Sequence, residues 1–468
     1  MEKRLGRLSA GDLTCAMWVA LCFGLTSAAY FSWVDRLVTL AGGGLTDWLS
    51  MVAGYLMQAA GMGLVVLIAR REPELDLRRR FMPAVALYAA LTVPALLSNT
   101  LAGAASFGLL TQLMYGLIAG LYLYAIGTTV QADARGRVFG IGYAVSTVAV
   151  GLLGLVGSGS LIRGRHVLPV YLALSALAAW VAGRVRAAQD ADAGAGEPPA
   201  ADAREEGGLA LACAVVVLLS AVKNLGFGFP SADIAAGLIP ELSRIPYAVG
   251  LAAAGFINDR SRRQGMLCTL AALVLPFLML GLTGEPVPAA ICWGLDYLFY
   301  GFFSVFRAVL FLDLAQRTRR WWLAPMGLLL GRLGDIAGTG LNLLIGEHKV
   351  LLVAATALLF FPTAGLFYRL YRRLYEPRAA RVRSEAEVFE AFCLHNDLSA
   401  REREVLRMIV AERSNGEIAE ALFITESTVK YHVRNVLQKT GCKNRGELQR
   451  KYTLALYPGL QAGAAERI

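Results

Sequence analysis

Residues 398–452 read LSAREREVLRMIVAERSNGEIAEALFITESTVKYHVRNVLQKTGCKNRGELQRKY. Three helix starts stand out. Ser399 with Glu402, and Ser414 with Glu417, each place a hydroxyl at the N-cap and a glutamate three residues on, the capping-box pattern. Thr425 precedes Glu426-Ser427-Thr428, a third cap with an acidic first turn. Val405, Leu406, Ile409, Ile418, Ala419, Leu422, Val429, Val433 and Leu437 recur at helical spacing and predict one small core. The short apolar turn Leu422-Phe423-Ile424 between the second and third helices predicts a helix-turn-helix. The third helix, from about Glu426 to Lys439, has a polar face bearing Lys430, Tyr431, Arg434, Asn435 and Gln438. From Lys430 to Lys451 there are seven basic residues against one acidic, Glu447. Such a face suits the major groove of DNA, where Lys and Arg read base edges and hold phosphates.

Everything before this segment has the opposite character. The chain of 468 residues is 56% hydrophobic and only 17% charged, against roughly a quarter charged in ordinary globular domains. A membrane span needs roughly 20 apolar residues. Candidates fall at 14–34, 47–69, 81–98, 103–129, 138–158, 167–183, 208–228, 234–257, 265–283, 287–312, 322–345 and 350–371, which is twelve. Lys3, Arg4 and Arg7 followed by an apolar run and Ser27-Ala28-Ala29 imitate a cleavable leader, but the run continues to Trp33 and reads as the first span. Alternate loops carry nineteen Lys and Arg against four. This bias predicts a multi-pass membrane protein with both termini cytoplasmic. The seven cysteines and four histidines are scattered, so no disulfide framework, metal site or cofactor is expected.

The stretch 185–207, rich in Ala, Asp, Glu, Gly and Pro, reads as a flexible cytoplasmic linker. It separates a first six-helix half (1–184) from a second (208–371), followed by a juxtamembrane connector (372–397), the helix-turn-helix domain (398–453) and a tail (454–468). Between the eighth and ninth spans stands Gly255-Phe-Ile-Asn-Asp259-Arg260-Ser-Arg262-Arg263. Twelve spans split six and six, with this loop, resemble the major facilitator superfamily. The resemblance implies that Gly255, Asp259, Arg260 and Arg263 help to latch the halves; the bland alternative is a topology signal. The matching loop of the first half, ARREPELDLRRR, lacks the Gly-Asp-Arg core, which weakens an expectation of vigorous transport.

The C-terminal segment resembles the LuxR/NarL type of helix-turn-helix. The matching residues are Arg401-Glu402-Arg403-Glu404-Val405-Leu406, Ser414-Asn415 with Glu417-Ile418-Ala419, Thr425-Glu426-Ser427-Thr428-Val429-Lys430 with His432-Val433, and Lys439-Thr-Gly441 with Asn444-Arg445. The resemblance implies that Lys430, Tyr431 and Arg434 face bases while Thr428 and Lys439 lie nearer phosphates. It departs from the family before Ser414, where Glu412-Arg413 replace the usual glycine. Helix-turn-helix proteins read paired half-sites as dimers, so promoter DNA, a homodimer on it and RNA polymerase are the expected partners, with membrane lipid.

Charges within spans are costly and mark function. The first six spans hold none in their interiors; the last six hold Lys223, Glu241, Arg244, Asp296, Arg307, Arg332 and Asp335, four positive and three negative. Asp296, Tyr300, Phe303 and Arg307 lie on one helix face and suit a cavity for an aromatic or anionic small molecule. Mutual pairing that merely ties helices together is the alternative. The expectation is an all-α chain: a polytopic twelve-helix membrane bundle that senses a small molecule, plus a C-terminal LuxR-type domain that binds DNA. No catalytic constellation is visible. The rival reading is a working transporter with an appended regulatory domain.

Overall fold

The computed structural model describes residues 7–72, 74–155, 167–185, 203–226, 244–272, 274–275, 286–346, 348–375 and 385–456. Glu241, most of the expected linker, residues 376–384 of the connector, most of the tail, and parts of the expected spans at 138–158, 208–228, 234–257 and 265–283 lie outside them, and Arg244 is described only as backbone. Two compact units divide at Tyr375 and Glu376. Every regular element among the described residues is helical.

The first unit opens with α1 (Ala10–Ala41), begun by a capping box between Ser9 and Asp12. It continues with α2 (Gly43–Arg71), α3 (Leu77–Leu97), α4 (Leu101–Thr129), α5 (Arg135–Leu155) and α6 (Val167–Ala182). The second half holds α7 (Ala203–Gly226), α8 (Arg244–Arg260), α9 (Arg262–Thr269), α10 (Pro286–Thr318), α11 (Met326–Ile345) and α12 (Lys349–Tyr375). Nine helices among the described residues are long and apolar enough to cross a membrane. Nine of the twelve expected spans are thus long enough among the described residues, and α6, α8 and α9 are short over their described lengths. The multi-pass membrane character holds. Leu344, Val350, Leu358 and Phe361 all point outward, each at least 73% exposed. Water would penalise that surface and lipid does not.

The two most extensive helix contacts between the halves run along α5 with α8 and α2 with α11. Glycine permits the first approach. A Cβ added at Gly140 would sit 2.4 Å from the Leu251 carbonyl oxygen, and one at Gly255 would sit 2.6 Å from that of Gly136. Small residues at such a crossing let backbones meet, and in lipid close packing is the main force between helices.

The second unit holds α13 (Glu385–His395), α14 (Ala400–Val410), α15 (Asn415–Leu422), α16 (Glu426–Thr440) and α17 (Arg445–Leu456). Its core gathers Val405, Leu406, Ile409, Ile418, Ala419 and Val429, with Leu422, Val433 and Leu437 packed at the margin. Val436, Leu448 and Tyr452 complete it. Phe389, Phe392 and Cys393 of α13 enter the same core, the two phenyl rings meeting Tyr452 edge-on at 6.1 and 5.5 Å. The C-terminal part of the connector expected at 372–397 therefore packs into the domain's core.

Candidate functional site

A cavity of about 340 Å³ opens between the two halves of the first unit. Its wall is dominated by tyrosine. Tyr30 comes from α1, Tyr55 from α2, Tyr115 and Tyr122 from α4, and Tyr143 from α5. Tyr247 from α8 and Tyr297 and Tyr300 from α10 close the other side. Tyr247 stacks on Tyr300 with ring centres 4.9 Å apart, Tyr30 faces Tyr55 at 6.5 Å, and Phe23 stacks on Tyr143 at 3.8 Å. The Tyr122 and Tyr143 hydroxyls share a hydrogen bond. Buried rings arranged in parallel present flat faces with electron-rich centres.

Of the charged residues expected in a cavity, Arg307 and Arg332 line it. Asp335 accepts from Arg332 Nη1 at 3.0 Å, Arg307 Nη1 at 3.5 Å and Asn224 Nδ2 at 2.6 Å. The expected pairing of Arg332 with Asp335 on one helix is present, and Arg307 joins it. Arg332 also lies 4.3 Å over the Tyr55 ring, linking α11 to α2 of the other half. Lys223 places its ammonium 4.1 Å over Tyr300, Phe303 lies beneath the Arg307 guanidinium at 5.1 Å, and Asp296 is buried. The α10 stripe is thus one face, of which Tyr300 and Arg307 reach the cavity. The tyrosines of the first half were invisible to a search for charges; their signal is the spacing of Tyr115, Ala119 and Tyr122 on one face of α4.

Four residues of this wall carry buried polar atoms with no hydrogen-bond partner: Gln58 Oε1, Ser146 Oγ, Thr147 Oγ1 and Arg307 Nε. Buried polar atoms are nearly always satisfied in folded proteins.

At the arginine-rich end of the bundle a second cluster ties the halves together. Asp259 accepts from the backbone N–H groups of Gly136 and Arg137, both at 2.8 Å, at the start of α5. Arg137 Nε at 3.1 Å and Arg262 Nη1 at 2.9 Å complete its shell. Arg262 extends to Asp313 at 2.7 Å, and Arg135 donates to Gln316 at 2.8 Å and to the carbonyls of Gly127 and Leu312. A buried carboxylate needs this many donors, since burial without them is expensive. Of the motif residues, Gly255 and Asp259 sit at the α5–α8 contact, Arg260 is exposed, and Arg263 hydrogen-bonds the Tyr371 hydroxyl on α12. Arg262 and the buried Arg135 and Arg137, counted from sequence as loop charges, carry most of the contact. In the first half's loop Asp76 caps α3, its carboxylate accepting from Arg79 N at 3.1 Å.

In the second unit both capping boxes form, at Ser399 with Glu402 and Ser414 with Glu417, and Thr425 accepts from Thr428 N at 3.3 Å. Lys430, Tyr431 and Arg434 are exposed on α16, with Thr428 and Asn435 half-buried beside them. Lys439 is placed otherwise: its ammonium donates to Glu402 Oε2 at 2.7 Å and to the Asp397 carbonyl at 3.0 Å, so its charge is engaged inside the domain. Burial alone would push the Glu402 carboxyl up; Lys439 and the Ser399 donors outweigh it and hold the group below its ordinary value. The Ser414 backbone N–H, then its hydroxyl and Arg413, lower Glu417 likewise. Arg445 donates to Asn415 Oδ1 and to the Arg413 carbonyl, fastening α17 to the start of α15.

These features define a class: a multi-pass membrane bundle of transporter type that ends in a DNA-binding helix-turn-helix domain. Residues 396–451 match the family described as bacterial regulatory proteins, luxR family, and through this domain the chain belongs to that family. It is 46% identical over 50 residues to the spore germination protein GerE of Bacillus subtilis, covering 11% of this chain and 68% of that protein. It is 43% identical over 70 residues to the nitrate/nitrite response regulator protein NarL of Escherichia coli, covering 15% of this chain and only 29% of that one. The helical fold is similar to that of the human organic anion transporter MFSD10, with a TM-score of 0.50 and 17% identity over 78% of this chain and 98% of that chain. The likeness shows a major-facilitator fold.

Proposed function

We propose that the chain is a one-component transcriptional regulator of the bacterial inner membrane. A small molecule binds between the halves of the bundle and biases the equilibrium between their arrangements, which alters promoter binding by the C-terminal domain. The observation that carries this reading is the union, in one chain, of a tyrosine-walled cavity with unsatisfied polar atoms and an exposed Lys430–Tyr431–Arg434 face on a luxR-type domain. The Arg263–Tyr371 bond supports a route for coupling, because it joins the loop that holds the halves to the helix leading out of the bundle. The arginine bias of alternate loops supports cytoplasmic termini. The domain binds DNA as a homodimer on paired half-sites, where it meets RNA polymerase.

Genome-wide crosslinked DNA occupancy in the native host tests the reading. Discrete peaks for the intact chain that vanish in a Lys430→Ala, Arg434→Ala double variant of equal membrane abundance are expected. Peaks that persist in the variant, or none under any growth condition, would sink it. The transporter reading draws on the fold alone, and substrate uptake by vesicles holding a chain without residues 398–468 would carry it.

A further inference from the structure

Eight tyrosines and two arginines line the cavity, and no carboxylate is among the described lining residues. The two guanidiniums share a single carboxylate, Asp335, which is 1% exposed. Arg332 keeps a fifth of its side chain accessible, and Arg307 lines the same space with its Nε unsatisfied. In the same wall, on α2 and α5, Gln58, Ser146 and Thr147 bring three more unpartnered polar atoms, each residue at most 6% exposed. We infer that the cavity binds a flat aromatic acid, its ring between tyrosine faces, its carboxylate on the Arg332–Arg307 pair, and a second polar group toward Gln58, Ser146 and Thr147.

Each part of that assignment has a physical reason. Stacked aromatic walls favour a planar ring over a saturated one of equal size, through quadrupole and dispersion contacts. Two guanidiniums taken out of water with one carboxylate between them leave positive charge uncompensated, and a planar fork matches a carboxylate in two-point contact. An amine in the same place would face Arg307, Arg332 and the ammonium of Lys223 over Tyr300. A purely apolar guest would leave four buried polar atoms unsatisfied. The volume, about 340 Å³, suits one or two fused rings with a short substituent.

The inference rests on the sensing role proposed above, but binding is measured without DNA. Full-length protein in detergent is titrated calorimetrically with benzoate, 4-hydroxycinnamate and 2-naphthoate, each alongside its amide, its ring-saturated acid and its amine counterpart. At least one aromatic acid should bind with a Kd below about 1 mM, and its three counterparts at least about tenfold more weakly. Arg332→Gln should erase the preference for acid over amide. Arg332→Lys keeps the charge beside Asp335 while losing the planar fork, so it should retain the melting midpoint and lose acid affinity. Failure of all three acids to bind, equal binding of amide or amine, or an acid preference that survives both substitutions would overturn the inference. Acid binding by a chain that occupies no promoter would leave it standing and sink the regulator reading; occupancy without acid binding would do the reverse.

Discussion

At the scale of single residues, the C-terminal domain is made of local rules with three departures. Asp397, Glu412 and Phe423 hold left-handed backbone, with φ of 48°, 59° and 54°. Glu412 stands where the resemblance leads one to expect glycine, and it adopts the conformation a glycine would. Phe423 closes α15 and is 96% exposed, so no packing within the domain offsets its strained backbone. Phe423→Asn, which tolerates this region, should stabilise the isolated segment 376–468 by about 0.5–1 kcal/mol, read by urea unfolding. Glu402 sets an acid limit. Its folded value lies below the ordinary 4.5. Its contribution is therefore complete above about pH 4.5 and lost as pH falls through the folded value. Glu402→Gln should lower stability at neutral pH by about 1–2 kcal/mol and flatten the acid limb of the same unfolding measurement. On α16, Arg434→Ala alone should weaken operator binding by about 1–3 kcal/mol in a fluorescence titration. An effect equal on all DNA sequences would instead place Arg434 on phosphate.

At the scale of elements, the contact between α5 and α8 depends on backbones that touch. Gly140 has the Leu251 carbonyl oxygen 2.4 Å from where a Cβ would be, while Gly340 on α11 has nothing within 4 Å. Gly140→Ala should lower the melting midpoint of the detergent-solubilised protein by several degrees, corresponding to about 1–3 kcal/mol of overpacking, and Gly340→Ala should leave it unchanged. Equal effects would show that the crossing is not close. Such a contact is only partly legible in sequence. Gly255 and Asp259 announce themselves as a motif, but nothing local marks Gly136, Gly140 or the burial of Arg135 and Arg137. Their partners in the other half lie more than a hundred positions away.

At the scale of the whole molecule, the division at Tyr375 and Glu376 predicts separable behaviour. Removing residues 376–468 should leave the melting transition of the bundle in place, within about a degree, since each unit has a core of its own among the described residues. A large shift would mean that the units stabilise each other. The boundary also explains one difference from the sequence reading. Val388, Phe389, Phe392 and Cys393 lie within the connector expected at 372–397, and their spacing defines an apolar face without saying what covers it. Tyr452, sixty positions from Phe392, covers it.

What the sequence by itself determined is what depends on neighbours along the chain. Caps, helix periods, apolar run lengths and the basic face of α16 are set within a turn or two, so the all-helical membrane bundle and the luxR-type domain were both legible. What only the tertiary structure decided is convergence. Tyrosines from six helices meet Arg307 and Arg332 around one cavity, and Asp259 reaches the start of α5. Periodicity fixes which face of a helix a residue occupies, but packing between helices alone fixes what that face meets.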